Sequence, residues 1–186
     1  MIEVSQSLED GFNSFEPVYI TDTQLTATLS LLRSFSRKRD CEGVVYWFGL
    51  DQGEQSIVST LIVPRADVAH GCISTSVAAN AEVLRTIVGT PLVLLGQAHS
   101  HPGEWVEHSR IDDEETFARF DGMISVVVPF LAKRSTALER WGIHRHVDGR
   151  FIRVDVSQIM KHLRVIPGEI DLRLRRKNKK DSELWK

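Results

Sequence analysis

The run Pro91-Leu92-Val93-Leu94-Leu95-Gly96-Gln97-Ala98-His99-Ser100-His101-Pro102-Gly103 decides how this chain is built. Its first half is continuously apolar and of strand length, the pattern of a central strand covered on both faces. Its second half turns polar and is stopped by Pro102-Gly103. If the strand continues through the histidines, side chains alternate between faces, so His99 and His101 share one face and Ser100 takes the other.

The flanking segments supply partners for that strand. Gly43–Gly49 is β-branched and aromatic between glycines, and Ser56–Val63 follows as a second strand ending at Pro64. Asp51-Gln52-Gly53-Glu54 reads as the hairpin turn between them. Before them, Thr21-Asp22 caps a helix that presents Leu25, Leu29 and Leu32 on one face and stops near Arg37-Lys38-Arg39, where cations complement the helix dipole. A helix is expected over Ser76–Val88, with Ala78, Ala81, Leu84 and Val88 inward and Gly89 at its end. Downstream come a helix over Ser109–Phe120, a buried strand over Met123–Pro129, and a hairpin of Trp141–Val147 with Phe151–Val156 about Asp148-Gly149. These elements predict one α/β domain in which a mixed β-sheet packs with helices, the hairpins arguing against strict βαβ winding. The domain is expected over residues 21–160, after a leader (1–20) that adds at most an edge strand and before a basic tail (161–186).

Composition agrees with a single core. The 186 residues are 42% hydrophobic and 26% charged, outside the corner where chains stay disordered. No apolar run approaches the ~20 residues of a bilayer span, and the polar, acidic start MIEVSQSLEDGF lacks a secretory signal, so a cytoplasmic location is expected. Cys41 and Cys72 are too few for a disulfide framework and read as small buried side chains. The formal charge of -2 divides unevenly: residues 1–160 hold 14 Lys+Arg against 21 Asp+Glu, whereas 161–186 hold 9 against 4. The Arg173–Lys180 stretch invites a nucleic-acid reading. The acidic body and the lack of interleaved aromatics argue against it, and a solvated terminus is the simpler account.

The chemistry sits between His99 and Asp112: His-x-His, seven residues, Ser109, two residues, Asp112. Two imidazoles from one strand face and a carboxylate from the next helix make a three-ligand site, and zinc with three protein ligands keeps its fourth position for water. Taken singly, each part has a plainer meaning, since Ser109 and Asp112 also form a capping box and a lone His-x-His is commonly structural. The joint spacing is what points to a metal centre. A hydrolase also needs a general base, and position alone leaves Glu42, Glu54, Glu104 and Glu107 open. His144-Arg145-His146 has no carboxylate at a matching interval and reads as a solvated hairpin face. His108 is read as a surface-loop histidine, and Trp105 as the better candidate for a partner contact.

Glu42-Gly43-Val44-Val45, His99-Ser100-His101-Pro102, Ser109 and Asp112 together resemble the signature of the JAMM (MPN-plus) zinc metalloprotease family. The similarity extends over roughly residues 21–156. It implies an MPN-type, cytidine-deaminase-like α/β fold and one zinc ion held by His99, His101 and Asp112. It also implies Glu42 as the base and Ser109 as a stabiliser of the oxyanion. The short segment after Asp112 leaves little room for the insertion that grips a second ubiquitin, so a compact, prokaryotic-type relative fits best. Such relatives cleave after the C-terminal glycine of a ubiquitin-like or sulfur-carrier protein, which is the partner expected here. Two other classes compete: a non-catalytic MPN scaffold, which needs none of the ligands, and a cysteine hydrolase using Cys41 or Cys72, neither of which has an activating setting in sequence.

Overall fold

Strand β2 (Val44–Asp51) carries two sets of apolar side chains, and each meets a different layer. Val45 and Trp47 join the larger core beneath helix α1 (Asp22–Arg39), where the indole N–H of Trp47 donates to Thr28 Oγ1 at 3.2 Å. Val44, Tyr46 and Phe48 face the opposite side and meet Val83 of helix α2 (Val77–Ile87). The start of α1 is fixed locally: Thr21 Oγ1 accepts from the Gln24 amide at 3.1 Å, and Gln24 Oε1 accepts from the Thr21 amide at 3.4 Å.

The computed structural model describes residues 12, 14–39, 41–69 and 72–168. Among these, eight strands form one mixed sheet. Besides β2 they are β1 (Val18–Thr21), β3 (Ser56–Ile62), β6 (Val93–Ser100), β7 (Ile124–Val128), β8 (Gly142–Val147), β9 (Arg150–Arg153) and β10 (Leu163–Ile166), ordered β10-β1-β3-β2-β6-β7-β8-β9. A separate small hairpin pairs β4 (Asp67–Ala69) with β5 (Cys72–Ser74). The β1–β3, β1–β10 and β6–β7 pairs are parallel and the rest of the sheet is antiparallel, so the mixed α/β expectation holds. A bulge matters here: Trp47 pairs with Gly96 but Phe48 with Leu94. The extra residue, Leu95, sits in the α1-side core, while Gln97 and His99 pair with Tyr46 and Val44 on the opposite face.

Several expectations are corrected. Strand β1, inside the expected leader, lies between β3 and β10 rather than at an edge, and β10 itself falls inside the expected tail. The sheet thus runs past both boundaries placed at residues 20 and 161. Helix α2 buries Ala79 and Val83, while Leu84 and Val88 are 50% and 77% exposed and Ala78 is exposed too. Apolar residues occupy nearly its whole circumference, so periodicity could not select the inward stripe. The third helix, α3 (Arg110–Glu115), stops well short of Phe120. His144, Arg145 and His146 are not solvated, because β8 is flanked by β7 and β9 and all three are at most 5% exposed. The Arg145 guanidinium donates to three carbonyls, those of Gly122, Glu16 and His162. The remaining helix, α4 (Ile159–His162), leads directly into β10. Residues 1–11 and the Arg173–Lys180 stretch lie outside the described residues.

Gly142 opens β8 where the loop after β6 crosses the sheet, and a Cβ there would overlap the Val106 carbonyl. Neither partner can withdraw, since Val106 is buried and Gly142 is in the ladder with Val127. We therefore expect Gly142→Ala to cost roughly 2–4 kcal/mol, measured by urea denaturation. A cost below about 0.5 kcal/mol would contradict the packing described.

Candidate metal centre

The end of β6 is clamped from both sides. The Ser100 amide donates to the Gly43 carbonyl at 3.1 Å and the Gly43 amide donates to Ser100 Oγ at 3.1 Å, which sets Glu42 beside the histidines. On the other side the His101 amide donates to Val128 O at 3.0 Å. The turn after β7 then returns two donors: Leu131 N to His101 O at 2.7 Å and Phe130 N to Gly103 O at 2.8 Å. Phe130, Leu131 and Ala132 adopt φ values of 57°, 53° and 55°, a left-handed run that costs L-residues energy. Arg33 of α1 donates to the Ala132 carbonyl and ties this turn to the helix layer.

Asp112 arrives on α3, which begins with a reciprocal cap: Asp112 N donates to Ser109 Oγ at 3.1 Å, and Ser109 N donates to Asp112 Oδ2 at 2.6 Å. The carboxylate meets both imidazoles, Oδ1 lying 3.6 Å from His99 Nε2 and Oδ2 3.3 Å from His101 Nε2. One donor atom from each of His99, His101 and Asp112 lies within 4.8 Å of the others. His101 Nδ1 is 3.1 Å from the Trp105 carbonyl. A carbonyl only accepts, so Nδ1 carries a proton, and Nε2, which faces Asp112, is the nitrogen left to ligate once its own proton is released. Neither ring nitrogen of buried His99 has a hydrogen-bond partner, an orphaned state that a metal ligand would relieve. The donor set and these orphaned atoms fit a divalent ion such as zinc.

Electrostatics favour the ligating forms of His99 and Asp112, whereas His101 would give up its Nε2 proton on binding an ion. Burial, reinforced by His108, pushes the His99 imidazolium well below the usual histidine range, so the ring is neutral. For His101, burial also acts downward but is outweighed by the hydrogen bond and charge of Asp112, and the net direction is up. Burial would raise Asp112, yet the hydrogen bonds from His101 and from Ser109 hold it well below the usual carboxylate range. It remains an anion.

His101 and Asp112 line a cavity of about 300 Å³ whose walls also include Glu42, Ser109, Trp105, Ile111 and Glu115, while His99 and Asp112 line a smaller adjoining pocket with Tyr46, Gln97 and Thr116. No lysine or arginine is among its lining residues. Trp105 is 52% exposed and stacks on His101, with ring centroids 5.2 Å apart and planes inclined by 12°. Burial pushes the Glu42 carboxyl up to about 7. Glu42, His101, Ser109 and Asp112, four of the five residues singled out in sequence, thus line one cavity, and His99 joins them through its donor cluster with His101 and Asp112. Glu54 lies in the β2–β3 turn and Glu104 is exposed, while Glu107 pairs with Arg153 and lies 3.6 Å from His144. None of these three is among the residues lining the cavity. Cys41 is buried, with its thiol 3.7 Å from the Phe35 carbonyl, and the side chain of Cys72 lies outside the described parts.

No family model matches the sequence, and comparison with curated proteins finds no match. Solved structures do resemble it. The solution structure of protein DSY2949 from Desulfitobacterium hafniense superposes with a TM-score of 0.59 at 13% identity, covering 81% of this chain and 93% of that one. The likeness is one of fold alone. A JAB1/MPN domain protein from Archaeoglobus fulgidus, AF2198, aligns over 75% of this chain and 96% of its own at 13% identity, but its TM-score of 0.40 carries no weight. No described helix is long and apolar enough to cross a membrane.

Sequence reading missed Glu115, which lines the cavity and accepts from Ser74 Oγ at 2.8 Å. It also misplaced His108, whose side chain is only 5% exposed and points into the sheet. A histidine beside a cap carries no signal of which way it turns.

The Glu42 shift has a thermodynamic consequence. Its folded value lies above the ordinary 4.5, so the metal-free folded chain holds an extra proton across that interval, and stability falls as pH rises from about 4.5 to about 7. Glu42→Gln removes this penalty. At pH 8 we expect it to stabilise the metal-free protein by about 1–2 kcal/mol, discounted because the group is partly solvated, with no gain near pH 4. Thermal melts at the two pH values measure this, and equal effects at both would refute the burial argument.

Proposed function

We propose that this protein is a zinc-dependent hydrolase of the JAMM type, with an MPN-like fold, cleaving the amide bond after the C-terminal glycine of a ubiquitin-like protein. The observation that carries the reading is the convergence of donor atoms from His99, His101 and Asp112 within 4.8 Å of one another, two of these residues, His101 and Asp112, being in the wall of a cavity also lined by Glu42 and Ser109. A zinc ion on those three ligands would polarise the scissile carbonyl and acidify a water molecule.

The remaining work falls to this chain's side chains. Glu42, with its carboxyl pushed up to about 7, is suited to accept a proton from water on Oε and pass it to the leaving amine, since such exchange works best near the operating pH. Ser109 uses a lone pair to accept from the Asp112 amide. Its O–H remains to donate to a developing oxyanion, so capping and catalysis coexist. Trp105 and Ile111 supply an apolar wall, and a glycine tail without side chains suits so narrow a cleft. A sulfur-carrier protein with the same tail is the alternative substrate.

Cleavage of a fusion carrying a Gly-Gly-terminated ubiquitin-like domain tests the reading. We expect about one zinc per chain, loss of cleavage on chelation with recovery on adding zinc, and indifference to thiol alkylation. Glu42→Gln should lower turnover by about 10²–10⁴-fold while keeping the metal. Ser109→Ala should lose about 10²–10³-fold and, as a lost cap, about 1 kcal/mol of stability. Zinc-free, inactive protein would instead indicate a scaffold, and alkylation-sensitive cleavage a cysteine hydrolase.

A further inference from the structure

His99 differs from His101 in having no hydrogen bond on either ring nitrogen. Metal-ligating histidines are ordinarily aimed by a hydrogen bond on the second nitrogen, so His99 needs another restraint. Its ring packs against His101 at 5.0 Å and meets the ring of His108 edge-on at 5.4 Å and 71°.

His108 is unable to turn. Its Nδ1 lies 2.8 Å from Asp113 Oδ1 and its Nε2 lies 2.9 Å from Ser125 Oγ. A carboxylate only accepts, so Nδ1 donates to Asp113 and Nε2 accepts the Ser125 hydroxyl proton. Ser125 Oγ in turn accepts from Gln97 Nε2 at 3.4 Å, and the same amide reaches Thr116 Oγ1 at 3.5 Å. Thr116 donates to the backbone carbonyl of Asp112 at 2.6 Å. The chain thus starts at the backbone of one metal ligand, crosses β6 and β7, and ends on the neighbour of that ligand in α3. The rings of His144 and Phe151, at 4.4 and 4.6 Å, close the far side of His108.

We propose that His108 is a positioning residue that aims His99 at the metal, held by the Gln97–Ser125–His108–Asp113 chain. This rests on the zinc reading above. The order Ser125, His108, Asp113 is also that of a hydrolytic triad, but Ser125 is fully buried, so the chain orients a ligand and attacks nothing.

The test uses the full chain, stripped of metal and titrated with zinc against a chromogenic chelator, with Co²⁺ as a spectroscopic substitute. Asp113→Ala and His108→Phe should each weaken zinc binding by about 10–100-fold and alter the cobalt visible spectrum, while the metal-free melting temperature stays close to wild type. Asp113→Asn, whose amide oxygen still accepts from Nδ1, should recover most of the affinity. If His108→Phe fails to fold, the half-exposed Asp113 pair still decides the matter. Wild-type affinity and an unchanged cobalt spectrum in Asp113→Ala would overturn the positioning role and leave the zinc reading intact. Failure of wild type itself to bind zinc would overturn both.

Discussion

The antiparallel pairing of β2 with β6 is the constraint on which the rest depends. It sets Val44 opposite His99 and, through the two Gly43–Ser100 hydrogen bonds, brings Glu42 to the strand end where His101 emerges. Shifting that register by one residue would exchange the faces of β6 and bury the ligands under α1, sending Ala98 and Ser100 to the cavity side. The bulge opposite Trp47 lets the same strand satisfy two demands, with Leu95 in the α1 core and Gln97 and His99 on the opposite face.

The two faces of the central strands do different work. Beneath α1 the side chains are apolar and packed: Val126 and Ile143 from β7 and β8 join Val45, Trp47 and Ala98. Across the sheet the register lines up Gln97, Ser125 and His144 on three adjacent strands, a polar row that a soluble core would not choose. Its members are satisfied only in part, since His144 makes no hydrogen bond on either nitrogen and its Nε2 lies 3.6 Å from Glu107 Oε2. Such rows are tolerated where they position something.

How much of this was legible in the sequence follows from what each signal encodes. His99, His101, Ser109 and Asp112 were readable because strand alternation and helix capping are local, whereas Glu42 was singled out only by the family resemblance, position alone leaving four glutamates open; the structure sets it in the cavity lined by His101, Ser109 and Asp112. The hairpin about Asp148-Gly149 was readable for the same reason. The buried state of His144 and His146 was not, because alternation says which residues share a face and nothing about what covers it. The inward stripe of α2 was ambiguous, since Val83 and Leu84 are equally apolar neighbours. Parallel pairing of β1 with β10 joins residues more than a hundred positions apart, and no short-range pattern announces such a contact. His108 shows the same limit at one residue: its partners Ser125 and Asp113 come from a strand and a helix whose proximity only tertiary structure creates.

The left-handed turn at Phe130–Ala132 acts as a sprung latch. Each of its residues sits roughly 1–2 kcal/mol above its right-handed alternative, and the turn is retained by the grip of Leu131 and Phe130 on the carbonyls of His101 and Gly103 and by Arg33 from behind. The cost of the turn and the placing of the strand end that carries His101 therefore rest on the same few bonds.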